Sequence, residues 1–464
     1  MNLRTNSIKI PKENPFKNCQ LDREQYADIL TTIIKSYDEG FVLALNNPWG
    51  AGKTTFVNMW RQKLINKGFT TIYFNAWEND YNHDPLVAIT GEFKSLLNID
   101  NKNSFNKILK HGGKIIAASV PSIVMALASH YGLDKAVTST LEAVADESFD
   151  VFKNELEKYT ERKDNISQFR SSLTQFIAQT TLKKPVIIFI DELDRCKPNY
   201  AVELLESIKH IFSVPGLTFV LSVHKDQLCE AVKGAYGSSG IDANEYLRKF
   251  FDLEYTIKAP NPLHYWEFLY KNSTVKDFFE GPLRSVYPEL QQDGISVLET
   301  GALLTHSCSL NLRQIESIFN KFRIVIRSFK YENFVFPSFL VFLIYINEFK
   351  SQVFKTIIDS ELTVPELISI VLTVLPKPHN LDLYPSFYKV LAELMFFYDL
   401  RLGERINFLH SDTGFIFNKV QELTKKDEDF IVERLAALDH NPKVKRIPMK
   451  YFIDKIELIN KIVI

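Results

Sequence analysis

Residues 41–60 read FVLALNNPWGAGKTTFVNMW, which is a short apolar run, a loop of small residues and a second, more polar run. The pattern predicts a strand from Phe41 to Asn46, then a loop, then a helix over 54–65. Small residues let successive backbone amides converge on a polyphosphate at the N-terminus of a helix, where the helix dipole favours an anion. The segment therefore predicts a phosphate-binding loop between a strand and a helix.

The residues of this loop are candidates for nucleotide binding. They are Asn47, Pro48, Trp49, Gly50, Ala51, Gly52, Lys53, Thr54 and Thr55. Lys53 would reach the β and γ phosphates, and the Thr54 hydroxyl would hold Mg²⁺. The P-loop pattern begins with glycine, but this chain has Asn47 there. We expect Asn47 to adopt a positive φ angle in place of that glycine.

A second motif, PVIIFIDE, occupies residues 185–192 and ends an apolar run with two acids. A buried parallel strand of this kind delivers its last side chains to the carboxyl edge of the sheet, beside the phosphate-binding loop. We expect Asp191 to hold Mg²⁺ and Glu192 to polarise the water that attacks the γ phosphate. The two motifs together predict a catalytic site for nucleoside triphosphate hydrolysis.

The strand predicted over 217–223 should lie next to these acids in the sheet. It ends near Ser222, which we name as a candidate sensor of the γ phosphate, and His224 follows it. A structural role is the alternative for both side chains.

The wider pattern predicts an α/β fold. Near-continuous apolar runs over 41–46, 70–76, 186–190 and 217–223 are typical of strands buried on both faces, and helical stretches separate them. We expect a P-loop NTPase fold with a doubly wound parallel sheet, a large helical insertion and a C-terminal helical region. The expected domains are a core over 1–260 with an insertion at about 78–184, a helical lid over 261–330, and a C-terminal helical domain over 331–464.

Composition and charge narrow the class of protein. The chain has 464 residues, of which 45% are hydrophobic, and its net charge is -1. Because the net charge is close to zero, the protein has no overall electrostatic field that attracts nucleic acid. Nucleic acid is therefore a possible partner that the charge does not favour. The four cysteines lie far apart without a CxxC pair, and the N-terminus lacks the apolar core of a signal peptide. We expect a cytoplasmic protein, with peripheral membrane association left open.

Two apolar segments need separate interpretation. Residues 115–133 are nearly uncharged and approach the length of about 20 residues that spans a bilayer. A single crossing would place the ends of the insertion on opposite sides of a membrane, although both flanking strands must join one sheet. Packing within protein is therefore favoured over membrane insertion. Residues 334–346 are Phe-rich and shorter, and they predict a core helix.

The sequence resembles the KAP family of P-loop NTPases, within the larger class that includes AAA+ and STAND ATPases. The resemblance covers roughly residues 15–325 and depends on six short matches. These are Asn47-Pro-Trp-Gly-Ala-Gly-Lys-Thr-Thr55, Phe74-Asn-Ala-Trp77 with Asp84-Pro-Leu86, Ile190-Asp-Glu-Leu-Asp-Arg-Cys-Lys-Pro198 with Glu203-Leu-Leu-Glu-Ser-Ile-Lys209, Phe219-Val-Leu-Ser-Val223, Tyr246-Leu-Arg-Lys-Phe-Phe251 and Asn311-Leu-Arg313.

The resemblance implies roles for cationic side chains. It makes Arg313 a sensor arginine that reaches the γ phosphate from a helical lid. Arg195, Arg248 and Lys249 are further candidates for an arginine finger across a subunit interface, with surface ion pairs as the alternative. The resemblance also implies a bacterial setting, with defence against phage or plasmids as the biological role.

Three functions remain open from the sequence. The first is an ATPase switch that uses ATP and Mg²⁺ and acts on an unidentified partner protein, or on its own assembly as a homo-oligomer or hetero-complex. The second is a scaffold that binds ATP without hydrolysis. Two departures from the family pattern favour it, namely Asn47 in place of the first glycine and Leu312 in place of the usual proline before the arginine. The third is an ATPase stimulated by nucleic acid. ATP is the expected nucleotide, but GTP stays open, because the absence of the Asn-Lys-x-Asp base motif of GTP-binding proteins does not by itself choose between the two.

Overall fold

The computed structural model describes residues 9–117 and 151–461, apart from 20, 38, 82–83, 181–184, 210, 212, 238–239, 259–260, 403–419 and 421–422. The chain forms two compact units, Ile8–Lys258 and Ala259–Ile464. The phosphate-binding loop and the two acids lie in the N-terminal unit.

A five-stranded sheet forms the centre of the N-terminal unit. Its strands are β1 (Phe41–Asn46), β2 (Thr71–Asn75), β3 (Val186–Asp191), β4 (Leu217–Val223) and β5 (Leu253–Tyr255). They pair in the order β2-β3-β4-β1-β5, and every pair is parallel. Every residue of β3 and β4 is buried, which explains their almost uninterrupted apolar sequence. The predicted parallel α/β fold is confirmed.

Strand β5 was not expected from the sequence. It has only three residues, Leu-Glu-Tyr, and their alternating exposure lacks the apolar run of the other strands. Its position depends on Asp252, which precedes it. The backbone N–H of Val42 donates to the Asp252 carboxylate at 2.8 Å, and the Asp252 N–H donates to the Val42 carbonyl at 3.0 Å. The Asp252 carboxylate and the parallel pairing of β5 with β1 therefore add a fifth strand to the sheet.

Helices cover both faces of the sheet. They are α1 (Glu24–Lys35), α2 (Lys53–Asn66), α3 (Pro85–Glu92), α4 (Lys102–Ala117), α5 (Val151–Thr180), α6 (Pro198–Ile208), α7 (Lys225–Tyr236) and α8 (Ala243–Arg248). On one face, α1 and α2 pack with alternate strand residues such as Leu43, Ile187 and Phe189. On the other face, α3 to α8 pack with the intervening residues, such as Val42 and Ile188. The period of two along each strand thus divides the core into two layers.

The segment between β2 and β3 contains α3, α4 and α5, and it agrees with the predicted helical insertion. Within the described ranges, no helix combines the length and the apolar character that crossing a bilayer requires. Most of the apolar segment 115–133, for which packing within protein was expected over membrane insertion, lies outside the described residues.

The C-terminal unit is built from helices in the part that the structure describes. They are α9 (Pro262–Lys271), α10 (Thr274–Glu280), α11 (Pro282–Ser285), α12 (Asp293–Ser307), α13 (Leu312–Ile326), α14 (Pro337–Phe349), α15 (Ser351–Asp359), α16 (Val364–Val374), α17 (Tyr384–Leu402), α18 (Lys425–Asp439) and α19 (Met449–Lys461). The Phe-rich run forms α14, whose residues 337–346 are all buried, as expected for a core helix. Helices from both sides of residue 330, α12 and α14, pack together. The domain boundary expected at that residue stays a prediction.

A close helix contact in this unit depends on Gly301. A Cβ atom at Gly301 would lie 2.2 Å from the ring of Trp266, far inside van der Waals contact. Trp266 is fully buried, and its Nε1–H donates to the Thr305 hydroxyl at 3.0 Å, so the ring has no room to retreat. The glycine lets α9 approach α12.

We expect Gly301→Ala to lower the free energy of unfolding by roughly 1–3 kcal/mol, because the overpacking cost exceeds the gain in helix propensity. Urea denaturation followed by far-UV circular dichroism would measure the change. Gly234→Ala in α7 is the control, since its Cβ would meet Pro198 at an ordinary 3.6 Å. That variant should be neutral or more stable by up to about 1 kcal/mol. Equal effects of the two substitutions would contradict the packing argument.

Candidate functional site

The loop between β1 and α2 has the backbone geometry of an anion site. Gly50 and Gly52 have φ angles of 78° and 77°, in the left-handed region that glycine adopts most readily. Gly52 is the N-cap of α2 and supplies no side-chain hydrogen bond. The first amides of α2 are therefore not capped by that residue and can bind an anion at the positive end of the helix dipole.

Asn47 does not substitute for glycine in the expected way. Among the described residues other than glycine, the positive φ angles belong to Asp22, Glu192, Ser309 and Phe336. The expectation of a positive φ at Asn47 was therefore wrong. Its buried side chain instead donates to the Ile257 carbonyl at 2.8 Å and accepts from the Ile257 N–H at 3.0 Å. A glycine could not make these bonds, so asparagine ties the start of the loop to the chain beyond β5.

Lys53 lies across the loop that precedes it. Its Nζ donates to the carbonyl of Asn47 at 2.5 Å and to that of Pro48 at 3.4 Å. Burial lowers the pKa of Lys53, while the nearby negative charges of Asp194 and Asp191 oppose that shift. The lysine of the loop thus lies within electrostatic reach of the carboxylates after β3.

Asp191 ends β3 and is 1% exposed. One of its carboxylate oxygens accepts from the Glu192 N–H at 2.9 Å, and the other accepts from the Tyr73 hydroxyl at 3.2 Å. Burial, together with the charge of Asp191, raises the pKa of Tyr73, which keeps the hydroxyl protonated as a donor. The sequence did not identify Tyr73, whose only signal was an aromatic polar residue on the neighbouring strand.

Glu192 is held in an unusual conformation beside Arg195. Its φ of 61° is rare for a residue with a side chain. The Glu192 carboxylate pairs with the Arg195 guanidinium at 3.2 Å, and that guanidinium lies 5.7 Å from the ring centroid of Trp77. Burial raises the pKa of Glu192, while the charge of Arg195 and a hydrogen bond with Asn75 lower it. The carboxylate is thus oriented by Arg195 and Asn75, and Trp77 in turn contacts the Arg195 guanidinium.

A hydrogen bond connects the loop directly to the acidic motif. The Trp49 indole N–H donates to one carboxylate oxygen of Asp194, and the Trp49 ring meets His224 edge-on with centroids 5.6 Å apart. The other oxygen of Asp194 is buried and accepts no hydrogen bond from any described residue. Asp194 was not among the predicted site residues, although it follows the paired acids by two positions.

Ser222 lies opposite Asp191 in the register of β3 and β4, as its place in the sequence suggested. It is 1% exposed, and its hydroxyl has no hydrogen-bond partner within the described part of the chain. His224 is half-buried, and its Nε2 lies 3.7 Å from the Asp226 carboxylate. The sensor roles of Ser222 and His224 stay predictions.

In the N-terminal unit, the described contacts of Arg248 and Lys249 are with residues outside the loop and the two acids. Arg248 is exposed and pairs with Glu245, and Lys249 is also exposed. Arg313 is exposed in the first turn of α13, in the C-terminal unit, where Asn311 caps the helix. Its role as a sensor stays a prediction. Arg195 is the candidate that contacts an acid of the site.

The donor set fits Mg²⁺. In the described part of the chain, no three His, Cys, Asp or Glu side chains converge as metal ligands. Magnesium usually keeps several waters and takes one or two protein carboxylates, with substrate phosphates completing its shell. The buried carboxylate of Asp191, with the buried hydroxyl of Ser222 opposite it in the sheet, would offer the oxygen donors that this ion prefers, and Thr54 in the first turn of α2 would be a further donor.

The fold and the site define a P-loop nucleotide-binding domain. A family model described as the KAP family P-loop domain matches residues 23–329. The chain is also 30% identical, over 176 residues, to an uncharacterized protein of Methanocaldococcus jannaschii, a match that covers 33% of this chain and 90% of that relative. The chain belongs to the KAP family of P-loop NTPases. The resemblance noted from the sequence is confirmed.

We expect Asn47→Gly to destabilise the protein, even though glycine is the usual residue of the pattern. Loss of the two buried hydrogen bonds to Ile257 should lower the free energy of unfolding by roughly 1–3 kcal/mol. Chemical denaturation would measure it. Asn18→Gly is the control, because the Asn18 amide makes a single exposed hydrogen bond to the Lys9 carbonyl. A variant at Asn47 as stable as wild type would show that the bonds to Ile257 contribute little.

Proposed function

We propose that this protein is a magnesium-dependent ATPase that acts as a molecular switch. Membership of the KAP family establishes a nucleotide-binding P-loop domain. The observation that carries the hydrolytic proposal is that the loop after β1 and the acids at the end of β3 lie at one edge of the parallel sheet, where Trp49 of the loop donates to Asp194. The negative charges of Asp194, Asp191 and Glu192 favour the charged form of Lys53. A phosphate-binding lysine and buried carboxylates at one sheet edge are the parts that triphosphate hydrolysis needs.

Each residue of the site has a defined task in this proposal. The amides of the loop and the Nζ of Lys53 bind the phosphates, and Lys53 exchanges its bonds to loop carbonyls for bonds to phosphate oxygens. Asp191 and Thr54 hold Mg²⁺, which when bound neutralises negative charge on the phosphates. Glu192 accepts a hydrogen bond from the attacking water and orients it in line with the γ phosphate.

Two substitutions test this proposal. Glu192→Gln should still bind ATP but lose at least roughly 100-fold in the rate of phosphate release, because the amide is a far weaker base. Lys53→Ala should instead weaken ATP binding itself. Steady-state phosphate release and titration with a fluorescent ATP analogue measure the two quantities. The proposal fails if wild type releases no phosphate from ATP and Glu192→Gln behaves identically.

The pH dependence of hydrolysis provides an independent test. Glu192 acts as an acceptor only when it is ionised, so activity is lost as the pH falls through its pKa, which burial raises above the ordinary 4.5. Arg195 lowers that pKa by its charge. We therefore expect Arg195→Gln to move the acid limb of the kcat/KM profile to higher pH.

The matched control for this profile is Arg248→Gln, which removes an exposed guanidinium that pairs with Glu245. Its acid limb should coincide with that of wild type. If the acid limb of Arg195→Gln is unchanged or moves to lower pH, Arg195 does not lower the pKa of the group that limits activity.

A non-hydrolysing scaffold is the competing function. The observation in its favour is the ion pair between Glu192 and Arg195, since a carboxylate engaged by a guanidinium is a poorer base. ATP would then raise the unfolding temperature without turnover, even with partners or nucleic acid added.

An ATPase stimulated by nucleic acid is the third candidate function. In that case DNA would raise the rate of hydrolysis, and this stimulation would weaken steeply as the salt concentration rises.

The switch is proposed to act in the cytoplasm on a partner protein, or on its own assembly as a homo-oligomer or hetero-complex. Defence against phage or plasmids is the biological role that the family resemblance suggests. Glu192→Gln with ATP would trap the bound state, so proteins that co-purify with this variant and not with Lys53→Ala identify the partner. Plating of phage on cells with and without the active protein tests the role in defence.

A further inference from the structure

An arginine outside both motifs contacts the phosphate-binding loop. Arg23 is the residue before α1, and it is 5% exposed. Its Nη2 donates to the Ala51 carbonyl at 2.6 Å and its Nη1 donates to the Gly52 carbonyl at 3.0 Å. The guanidinium therefore binds two consecutive peptide groups of the loop with its two terminal nitrogens.

These two hydrogen bonds set the direction of the next two amides. In a planar trans peptide the C=O of one residue and the N–H of the following residue point to opposite sides. When Arg23 draws the carbonyls of Ala51 and Gly52 toward itself, the amides of Gly52 and Lys53 are turned away from it. We propose that Arg23 is a positioning residue that holds these amides ready for the phosphates of the nucleotide; this inference rests on the proposed nucleotide-binding function.

The loop needs such a constraint because of its glycines. Gly50 and Gly52 give it the required left-handed conformation, but glycine also loses the most conformational freedom when it is ordered. A guanidinium has a rigid, permanently charged fork that matches two acceptors at once. Donors fixed before the ligand arrives bind it more tightly, because less ordering remains to be done on binding.

Arg23 precedes α1, and α1 packs against α2. Leu30 and Ile34 of α1 pack in one buried cluster with Phe56 and Trp60 of α2. The indole N–H of Trp60 donates to the Thr31 hydroxyl at 2.9 Å in the buried contact between the same helices. The arginine is thus held against α2, the helix whose N-terminus the loop forms.

The test compares ADP with ATP and Mg²⁺. The loop amides cradle the α and β phosphates, which both nucleotides carry. Arg23→Lys keeps the charge but loses the fork, so it should weaken the binding of ADP and ATP by the same factor, roughly tenfold. The value of kcat at saturating ATP should stay within about twofold, because only uniform binding is lost. Titration with fluorescent analogues and steady-state kinetics give these values.

Two further variants separate positioning from general stability. Lys63→Met removes the ion pairs of Lys63 with the half-exposed Glu24 and Asp28. The buried packing of α1 on α2 and the bonds of Arg23 to the loop do not depend on Lys63, so the nucleotide affinity of this variant should match wild type. Arg23→Gln, which keeps an amide donor without the charge, is the second substitution at the site. The unfolding midpoint is measured for both Arg23 variants. The nucleotide affinity of the variant whose midpoint equals that of wild type is then compared with the affinity of wild type.

Each other outcome overturns a distinct statement. Wild type that binds neither nucleotide removes the proposed function and this inference together. Wild type that binds, with Arg23→Lys equal to it, removes the role of Arg23 alone. Three further results would contradict a positioning role for Arg23. Arg23→Lys could lose affinity for ATP but not for ADP, it could lose kcat without losing affinity, or Lys63→Met could lose as much nucleotide affinity as Arg23→Lys.

Discussion

The parallel pairing of β4 between β1 and β3 is the constraint on which the site depends. In a parallel sheet all carboxyl ends lie at one edge, so the loop after β1 and the acids after β3 face the same region with one strand between them. Ser222 stands opposite Asp191 because of the same pairing. The apolar sequence of β3 and β4 buries this arrangement on both faces and so fixes the register that sets the distance between cation and carboxylates.

The charges at this edge are held by neighbours from several elements. Tyr73 of β2 donates to Asp191, Trp49 of the loop donates to Asp194, and Arg195 pairs with Glu192. A buried carboxylate without partners is costly, so each of these contacts supports an ionised group that the proposed chemistry requires. The same contacts join the phosphate-binding loop and the acidic motif into one network, in which a change at one part alters the electrostatics of the other.

Much of the fold could be predicted from local patterns. The strands β1 and β4 begin and end where the apolar runs begin and end, and the Phe-rich run is the buried helix α14. Local patterns failed where a long-range partner decides the outcome. Strand β5 is too short to show a pattern and exists through its pairing with β1. Asn47, whose φ is not positive, bonds through its side chain to Ile257, which lies 210 positions away.

The sequence by itself determined the parts on which the proposed chemistry depends: a glycine-containing loop with a lysine, two acids at the end of a buried strand, and a scaffold of alternating strands and helices. These features are local, because backbone conformation and hydrophobic periodicity depend on neighbouring residues. Only the tertiary structure decided which side chains support that chemistry. Arg23 and Tyr73 belong to no motif of the sequence, and they reach the site because packing brings their segments within hydrogen-bond distance of it. Asp194 lies within the acidic motif, but the fold decides that it accepts a bond from Trp49 of the loop.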